Sequence, residues 1–119
     1  MLNLDTHVLL HALGGRLTPR ERRLLEGDAW SISGIVLWEI AKLAQLRRIE
    51  LDLDDVELTR LLARVHVWPV TLEVAREVAS LDVRVDPADE LIAATSIVHR
   101  VPLLTRDKKL RASKRVPLA

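Results

Sequence analysis

The 119-residue sequence has no cysteine, phenylalanine or tyrosine, and its aromatic residues are three tryptophans. The absence of cysteine excludes disulfide bonds, thiolate metal sites and cysteine nucleophiles, and makes a cytoplasmic location the simplest expectation. The absence of Phe and Tyr removes the usual platform on which successive bases of a nucleic acid stack. Because the chain has no thiolate, oxygen and imidazole nitrogen are the expected metal ligands.

Long apolar runs and targeting signals are also missing. Charged residues such as Glu39 interrupt every apolar run before it reaches membrane-spanning length, and the first residues do not resemble a signal peptide. We therefore expect no membrane association. The 49% hydrophobic content is enough for one buried core, which predicts a single domain over residues 1–119.

The net charge is only +1, but it is unevenly distributed along the chain. The segment 106–115 has six basic residues against one acid, Asp107. Such a segment, beginning beside Asp107, would attract a polyanion, and nucleic acid is a ligand of this kind. A solvated basic tail without a ligand is the alternative that charge alone leaves open.

Apolar runs alternate with helical patterns along the chain. Strands are predicted at Leu2–Leu4, Trp30–Ile32, Val67–Val70 and Val101–Thr105, with a short last strand at Val116–Leu118. Helices are predicted over Thr6–Leu13, from Thr18 to Glu26, from Ser33 to about Arg47, and from Asp54, Thr71 and Asp86 onward. This order predicts a parallel sheet with helices on both faces and a ligand site at the carboxyl ends of the strands. Pro69 favours an edge position for the third strand.

Four carboxylates lie within otherwise apolar segments: Asp5, Glu39, Asp89 and Asp107. An ionised carboxylate in such surroundings needs compensation, and a hard divalent cation supplies it best. Asp5 and Asp107 follow predicted strands, whereas Glu39 and Asp89 lie on helices that can lean over the same edge of the sheet. The sequence therefore predicts an acidic, metal-binding pocket.

Helical spacing and local charge also bear on these acids individually. Glu39 shares a helix face with apolar residues and is expected to point inward; these residues are Ile35, Val36, Leu43 and Leu46. Asp89 falls in the first turn of its helix, where the helix dipole alone would stabilise a carboxylate. Asp107 precedes basic residues and has Lys108 or Arg111 as an alternative ion-pair partner.

The motifs LDTHVLL, LWEIAKL, DPADELIAAT and PLLTRD resemble, in the same order, the acidic motifs of PIN domains, and most closely those of VapC-type toxins. The resemblance covers essentially the whole chain. It implies a Rossmann-like three-layer α/β/α sandwich with a central parallel sheet. It also implies a Mg²⁺- or Mn²⁺-dependent endoribonuclease that is usually a homodimer and is blocked by a cognate antitoxin.

Carried over residue by residue, the resemblance makes four residues catalytic and metal-binding: Asp5, Glu39, Asp89 and Asp107. Thr6 and Thr105 match hydroxyl positions that support such a site, and Asp5 is expected to be the central ligand. Glu90 is a departure, because related chains commonly have arginine directly after the third acid. Magnesium held by a few carboxylates keeps several waters, one of which can attack a phosphodiester.

RNA contact is expected to be mainly electrostatic, because Trp30, Trp38 and Trp68 lie in apolar runs and are predicted to be core residues. The predicted RNA-binding residues are Arg106, Lys108, Lys109, Arg111, Lys114 and Arg115, with Lys42, Arg47 and Arg48 as weaker candidates. The four histidines are expected to have structural or surface roles: His7, His11, His66 and His99. His7 and His11 are one helical turn apart, but no glutamate completes a zinc-protease motif around them.

Two other functions compete with the nuclease. A catalytically inactive PIN-like module would bind RNA or protein without cleavage, although the presence of all four acids argues against it. A phosphoryl-accepting receiver domain is also a small α/β fold with an acidic pocket. A receiver domain is expected to have paired acids after its first strand, whereas in this sequence Asp5 stands alone there.

Overall fold

A four-stranded parallel sheet forms the centre of the computed structural model, which describes all 119 residues. The strands are β1 (Leu2–Leu4), β2 (Trp30–Ser33), β3 (His66–Trp68) and β4 (Leu103–Leu104). Their spatial order is β3-β2-β1-β4, and every neighbouring pair is parallel. The predicted parallel α/β sheet is confirmed, and β3 lies at one edge of it.

Seven helices connect and cover these strands. They are α1 (Thr6–Leu13), α2 (Pro19–Glu26), α3 (Gly34–Gln45), α4 (Val56–Leu62), α5 (Leu72–Val78), α6 (Pro87–His99) and α7 (Lys108–Arg111). Side chains at five N-caps accept hydrogen bonds from first-turn amides: Asp5, Thr18, Ser33, Thr71 and Asp107. Thr18 and Glu21 form the complete capping box that the sequence predicts. None of the seven helices combines the length and the apolar character that a membrane span requires.

Several element boundaries differ from the prediction. β3 ends at Trp68 instead of reaching Val70, because Pro69 has no N–H to donate to a ladder. The segment Val116–Leu118 contributes only an isolated bridge between Leu103 and Leu118. β4 is shorter than the predicted Val101–Thr105, and the amide of Val101 still bonds to the end of α6. The structure also has α7, a four-residue helix that the sequence did not indicate.

The core lies between the sheet and the helices, and two predictions about it are wrong. Trp38 and Leu46 were expected to be buried, yet they are 54% and 59% exposed. Helix α3 packs through Val36 and Ile40, and Trp38 lies half a turn from both, so its side chain points to the opposite side. Leu46 follows the last residue of α3 and is not part of the packed face.

Candidate active site

Asp5 is a buried, hydrogen-bonded acid at the carboxyl edge of the sheet. It directly follows β1, which pairs with β4 in the register Leu4 to Leu104. The hydroxyl of Thr105, which directly follows β4, donates to Oδ2 of Asp5 at 2.6 Å. The amide of Thr6 donates to Oδ1 at 2.7 Å. Both oxygens are thus oriented, and the residue is only 4% exposed.

Glu39 reaches the same edge from α3. The hydroxyl of Thr6 donates to its Oε1 at 2.6 Å. Burial raises the pKa of the Glu39 carboxyl, the Thr6 hydrogen bond opposes that rise, and the charge of Asp5 adds to it. Glu39 therefore lies within electrostatic reach of Asp5, and Thr6 links the two acids through its amide and its hydroxyl.

Asp89 lies in the first turn of α6 and has the most strongly perturbed carboxyl of the four. Burial raises its pKa to about 7, with further contributions from four acids: Asp5, Glu39, Asp86 and Asp107. A carboxylate stabilised by the helix dipole alone would show the opposite shift. The predicted dipole explanation is therefore insufficient, because burial and the charges of neighbouring acids act on Asp89 in the opposite direction.

Asp107 forms hydrogen bonds along its own loop and no ion pair. Its amide donates to the hydroxyl of Thr105 at 3.1 Å, and its Oδ1 accepts from the amide of Leu110 at 2.9 Å. Asp107 is thus the N-cap of α7. The alternative pairing with Lys108 or Arg111 does not occur. Thr105 joins Asp107 to Asp5 through one hydroxyl, which accepts from the first and donates to the second.

Sequence reasoning missed a fifth acid, Asp86. It occupies the N-cap of α6 but its side chain makes no capping hydrogen bond. It lines a cavity of about 420 Å³ with Asp89, Asp107, Lys108 and two other basic residues. The signal was present in DPADE, because residues three apart at a helix start lie on the same side. Arg84, in the same cavity, was also missed.

The donor set fits a hard divalent cation in chemistry and charge. Carboxylate oxygens are the ligands that Mg²⁺ prefers, and a cation would relieve the mutual repulsion that raises the pKa of Asp89. No three Asp, Glu or His side chains are grouped closely enough to form a complete protein cage. An ion bound here would therefore be held by one or two carboxylates with water in its remaining positions, which is the usual mode for magnesium.

The predicted RNA-binding cations divide into engaged and free groups. Arg106 donates from two nitrogens to both oxygens of Glu21, at 2.8 and 2.7 Å. Arg115 pairs with Glu77. Arg111 donates to the Thr105 carbonyl. Three exposed lysines make neither a salt bridge nor a side-chain hydrogen bond and remain RNA-binding candidates: Lys108, Lys109 and Lys114.

The pair of Glu21 and Arg106 predicts a pH-dependent contribution to stability. Hydrogen bonding from Arg106 lowers the pKa of Glu21 to about 2, although burial opposes it. A carboxyl group whose pKa is lowered in the folded state stabilises the fold at pH values above its ordinary pKa. This contribution is lost as the pH falls through the folded-state pKa of about 2. Because Arg106 is partly exposed, we expect Glu21→Gln to cost about 2 kcal/mol at pH 7 and much less at pH 3, measured by urea unfolding.

The matched control for this prediction is Glu26→Gln on the same helix, since Glu26 is exposed. It should change the free energy of unfolding little at either pH. An equal loss for Glu21→Gln at pH 3 and pH 7 would show that the charge of Glu21 does not stabilise the fold.

The remaining aromatic and imidazole residues do not form a catalytic group. Trp68 stacks on His99 at 3.9 Å between ring centroids and meets His66 edge-on. Trp30 is partly buried against the core, as expected. The histidines make no metal cluster, and the buried Oε2 of Glu90 has no hydrogen-bond partner.

Residues 3–115 match the family model described as PIN domain, and the chain belongs to this family. It is 33% identical over 117 residues to Ribonuclease VapC22 of Mycobacterium tuberculosis, covering 93% of this chain and 90% of the relative. The VapBC2 structure from Rickettsia felis bound to a promoter DNA fragment superposes with a TM-score of 0.77 at 19% identity. The match covers 100% of this chain and 98% of that one. A toxin–antitoxin complex from Klebsiella pneumoniae superposes with a TM-score of 0.73 at 20% identity. The match covers 100% of this chain and 97% of that one. These two structures support the fold.

Proposed function

We propose that this chain is a Mg²⁺- or Mn²⁺-dependent endoribonuclease and the toxin of a toxin–antitoxin pair. The hydrogen bonds that link Asp5 to Glu39 and to Asp107 through Thr6 and Thr105 carry the proposal, because they orient hard oxygen ligands of the kind that this chemistry needs. The 33% identical relative is named a ribonuclease, and the structural neighbours are toxin–antitoxin complexes. RNA as the substrate agrees with a cytoplasmic location.

The chain's own residues orient the acids for this reaction. A bound divalent ion would activate a water and neutralise charge on the scissile phosphate. Thr105 holds Oδ2 of Asp5, and Thr6 holds Oδ1 of Asp5 and Oε1 of Glu39. These bonds fix three carboxylate oxygens before substrate binds, which lowers the cost of ordering the site. The second oxygen of Glu39 receives no hydrogen bond within the chain, so it can orient the attacking water.

Partner binding belongs to the same proposal. We expect a cognate antitoxin and a homodimer, as the names of the structural neighbours and the family resemblance suggest. Exposed apolar side chains support protein contacts, and they include Leu37, Trp38, Val70 and Leu72. Burying such residues in an interface would remove apolar surface from water.

The test is cleavage of structured and single-stranded RNAs by purified protein with Mg²⁺, with Mn²⁺ and with EDTA. We expect cleavage with either metal and none with EDTA, because the acids need the cation to act on a phosphodiester. Cleavage that persists in EDTA would contradict the metal-dependent mechanism.

An inactive PIN-like module is the alternative that the same cleavage assay tests. Such a module would bind RNA but would leave every RNA in the panel intact with both metals. Calorimetric titration with Mn²⁺ separates the two candidates further, since the nuclease must bind the ion.

A further inference from the structure

A second cavity lies outside the acidic cluster, between α1 and the segment 48–51. Its volume is about 570 Å³. Basic and imidazole side chains contribute to its wall, namely His7, His11, Arg16 and Arg48, and Glu50 is its only acid. Four leucine and isoleucine residues supply an apolar lining. The cavity is therefore amphipathic, with cationic groups beside an apolar surface.

The side chains of the two arginines in this cavity have no carboxylate partner in the fold. Arg16 and Arg48 are both exposed, and neither makes a salt bridge, although Glu50 lines the same cavity. Arg106 and Arg115, by contrast, are paired with carboxylates. Two unpaired guanidinium groups at one cavity favour an anionic ligand, and a phosphodiester matches their forked geometry.

The position of the cavity ties it to the acidic site. Its wall includes His7. His7 directly follows Thr6, and the Thr6 hydroxyl donates a hydrogen bond to Glu39. On the α6 and α7 side, the cavity of about 420 Å³ combines Asp89 and Asp107 with Lys108 and Lys109. Basic groups thus flank the acids on two sides. A polyanion with regularly spaced charges can occupy both flanks while one of its phosphates meets the acids.

We propose that the cavity of Arg16 and Arg48 binds an unpaired nucleotide of the RNA adjoining the scissile phosphate. The two guanidinium groups bind its phosphate, and the base packs on the apolar lining, including Leu10 and Leu51. This inference rests on the proposed nuclease function. An acidic peptide would satisfy the arginines alone, but it would not explain the second basic flank beyond the acids.

The test compares Arg16→Ala/Arg48→Ala with a control of equal charge change, Arg64→Ala/Arg76→Ala. Arg64 and Arg76 are exposed and make no salt bridge. Arg64 precedes β3, so it lies at the amino ends of the parallel strands, opposite the end that carries the acids. Cleavage of one single-stranded RNA is followed for KM and kcat with Mg²⁺. Binding of the same RNA is measured in EDTA by fluorescence anisotropy at several salt concentrations.

We expect the cavity variant to bind RNA about 10-fold or more weakly at 0.1 M salt, with a salt slope reduced by roughly 0.7 for each lost phosphate contact. KM should rise with kcat nearly unchanged, and the control should match the wild type. Arg16→Lys/Arg48→Lys keeps the charge and should restore the salt slope. Equal affinities and slopes for cavity variant and control would overturn the inference.

Two further results separate this inference from the function on which it rests. If the wild type cuts no RNA, the proposed function fails, while the anisotropy measurement still decides whether the cavity binds RNA. An oligoglutamate peptide serves as the second anionic probe. If its binding is weakened by the cavity variant as much as RNA binding is, the cavity is a general anion surface and the nucleotide assignment is wrong.

Discussion

Asp5→Asn is expected to abolish metal-dependent RNA cleavage, by about 10³-fold or more, while the protein stays folded. Loss of a central metal-binding charge removes several kcal/mol of transition-state stabilisation, and about 4 kcal/mol corresponds to 10³-fold. Asparagine keeps the shape of the side chain and is a good N-cap for α1. The Thr105 hydroxyl, which now donates to Oδ2, can accept from the amide instead. The measurement is cleavage rate together with thermal unfolding.

Asp54→Asn is the matched control for this variant, since Asp54 is an exposed aspartate in the loop before α4. It should cut RNA at the wild-type rate, and loss of cleavage in Asp5→Asn purified in the same way then excludes a contaminating nuclease as the source of activity. Wild-type activity in Asp5→Asn would show that Asp5 is not the central acid.

Asp89→Asn is expected to stabilise the metal-free protein at high pH and to weaken its response to metal. The pKa of Asp89 is raised to about 7, first by burial and then by the neighbouring acids. A carboxyl with a raised pKa in the folded state binds its proton more tightly there, so stability falls as pH rises from about 4 through 7. The amide removes this cost. Since the effect is shared among interacting acids, we expect a gain of about 1–2 kcal/mol at pH 8, or roughly 3–6 °C in Tm.

Thermal unfolding in EDTA at pH 4.5 and pH 8, followed by addition of Mg²⁺ at pH 8, checks this prediction. The difference between Asp89→Asn and wild type should be small at pH 4.5 and large at pH 8. Magnesium should raise the Tm of the wild type more than that of the variant. Asp54→Asn should show neither effect. A variant less stable than wild type at pH 8 without metal would mean that the ionised Asp89 is compensated within the chain.

Local chemistry determined much of this fold from the sequence. The bounds of β1 and α1 follow from an apolar run that ends at an N-capping Asp5. The capping box of Thr18 and Glu21, with Pro19 at the first helical position, fixes the start of α2. Such signals involve residues within one helical turn, so they need no information about the rest of the chain. The ordered acidic motifs likewise indicated the family, which the match over residues 3–115 confirms.

The composition of the acidic site depended on more distant contacts. The sequence suggested Asp5 and Thr105 as neighbours only through family resemblance, and the pairing of β1 with β4 brings them within 2.6 Å. Asp86 escaped notice because an aspartate before a helix is usually a cap, and only the packed structure shows that its side chain lines a cavity instead. Glu21 was read as a capping residue and is also the partner of Arg106.

Trp38 and Arg106 show most clearly what the sequence determined and what tertiary structure decided. The helical periodicity of α3 can be read from its sequence. Which face of the helix packs on the sheet is decided by tertiary structure, and that face excludes Trp38. The sequence also shows the basic charge of segment 106–115, but Glu21, 85 residues earlier, decides that Arg106 is held within the fold. Local propensity acts between neighbours in sequence. Helix orientation and ion pairing depend on which surfaces meet after the sheet order is set.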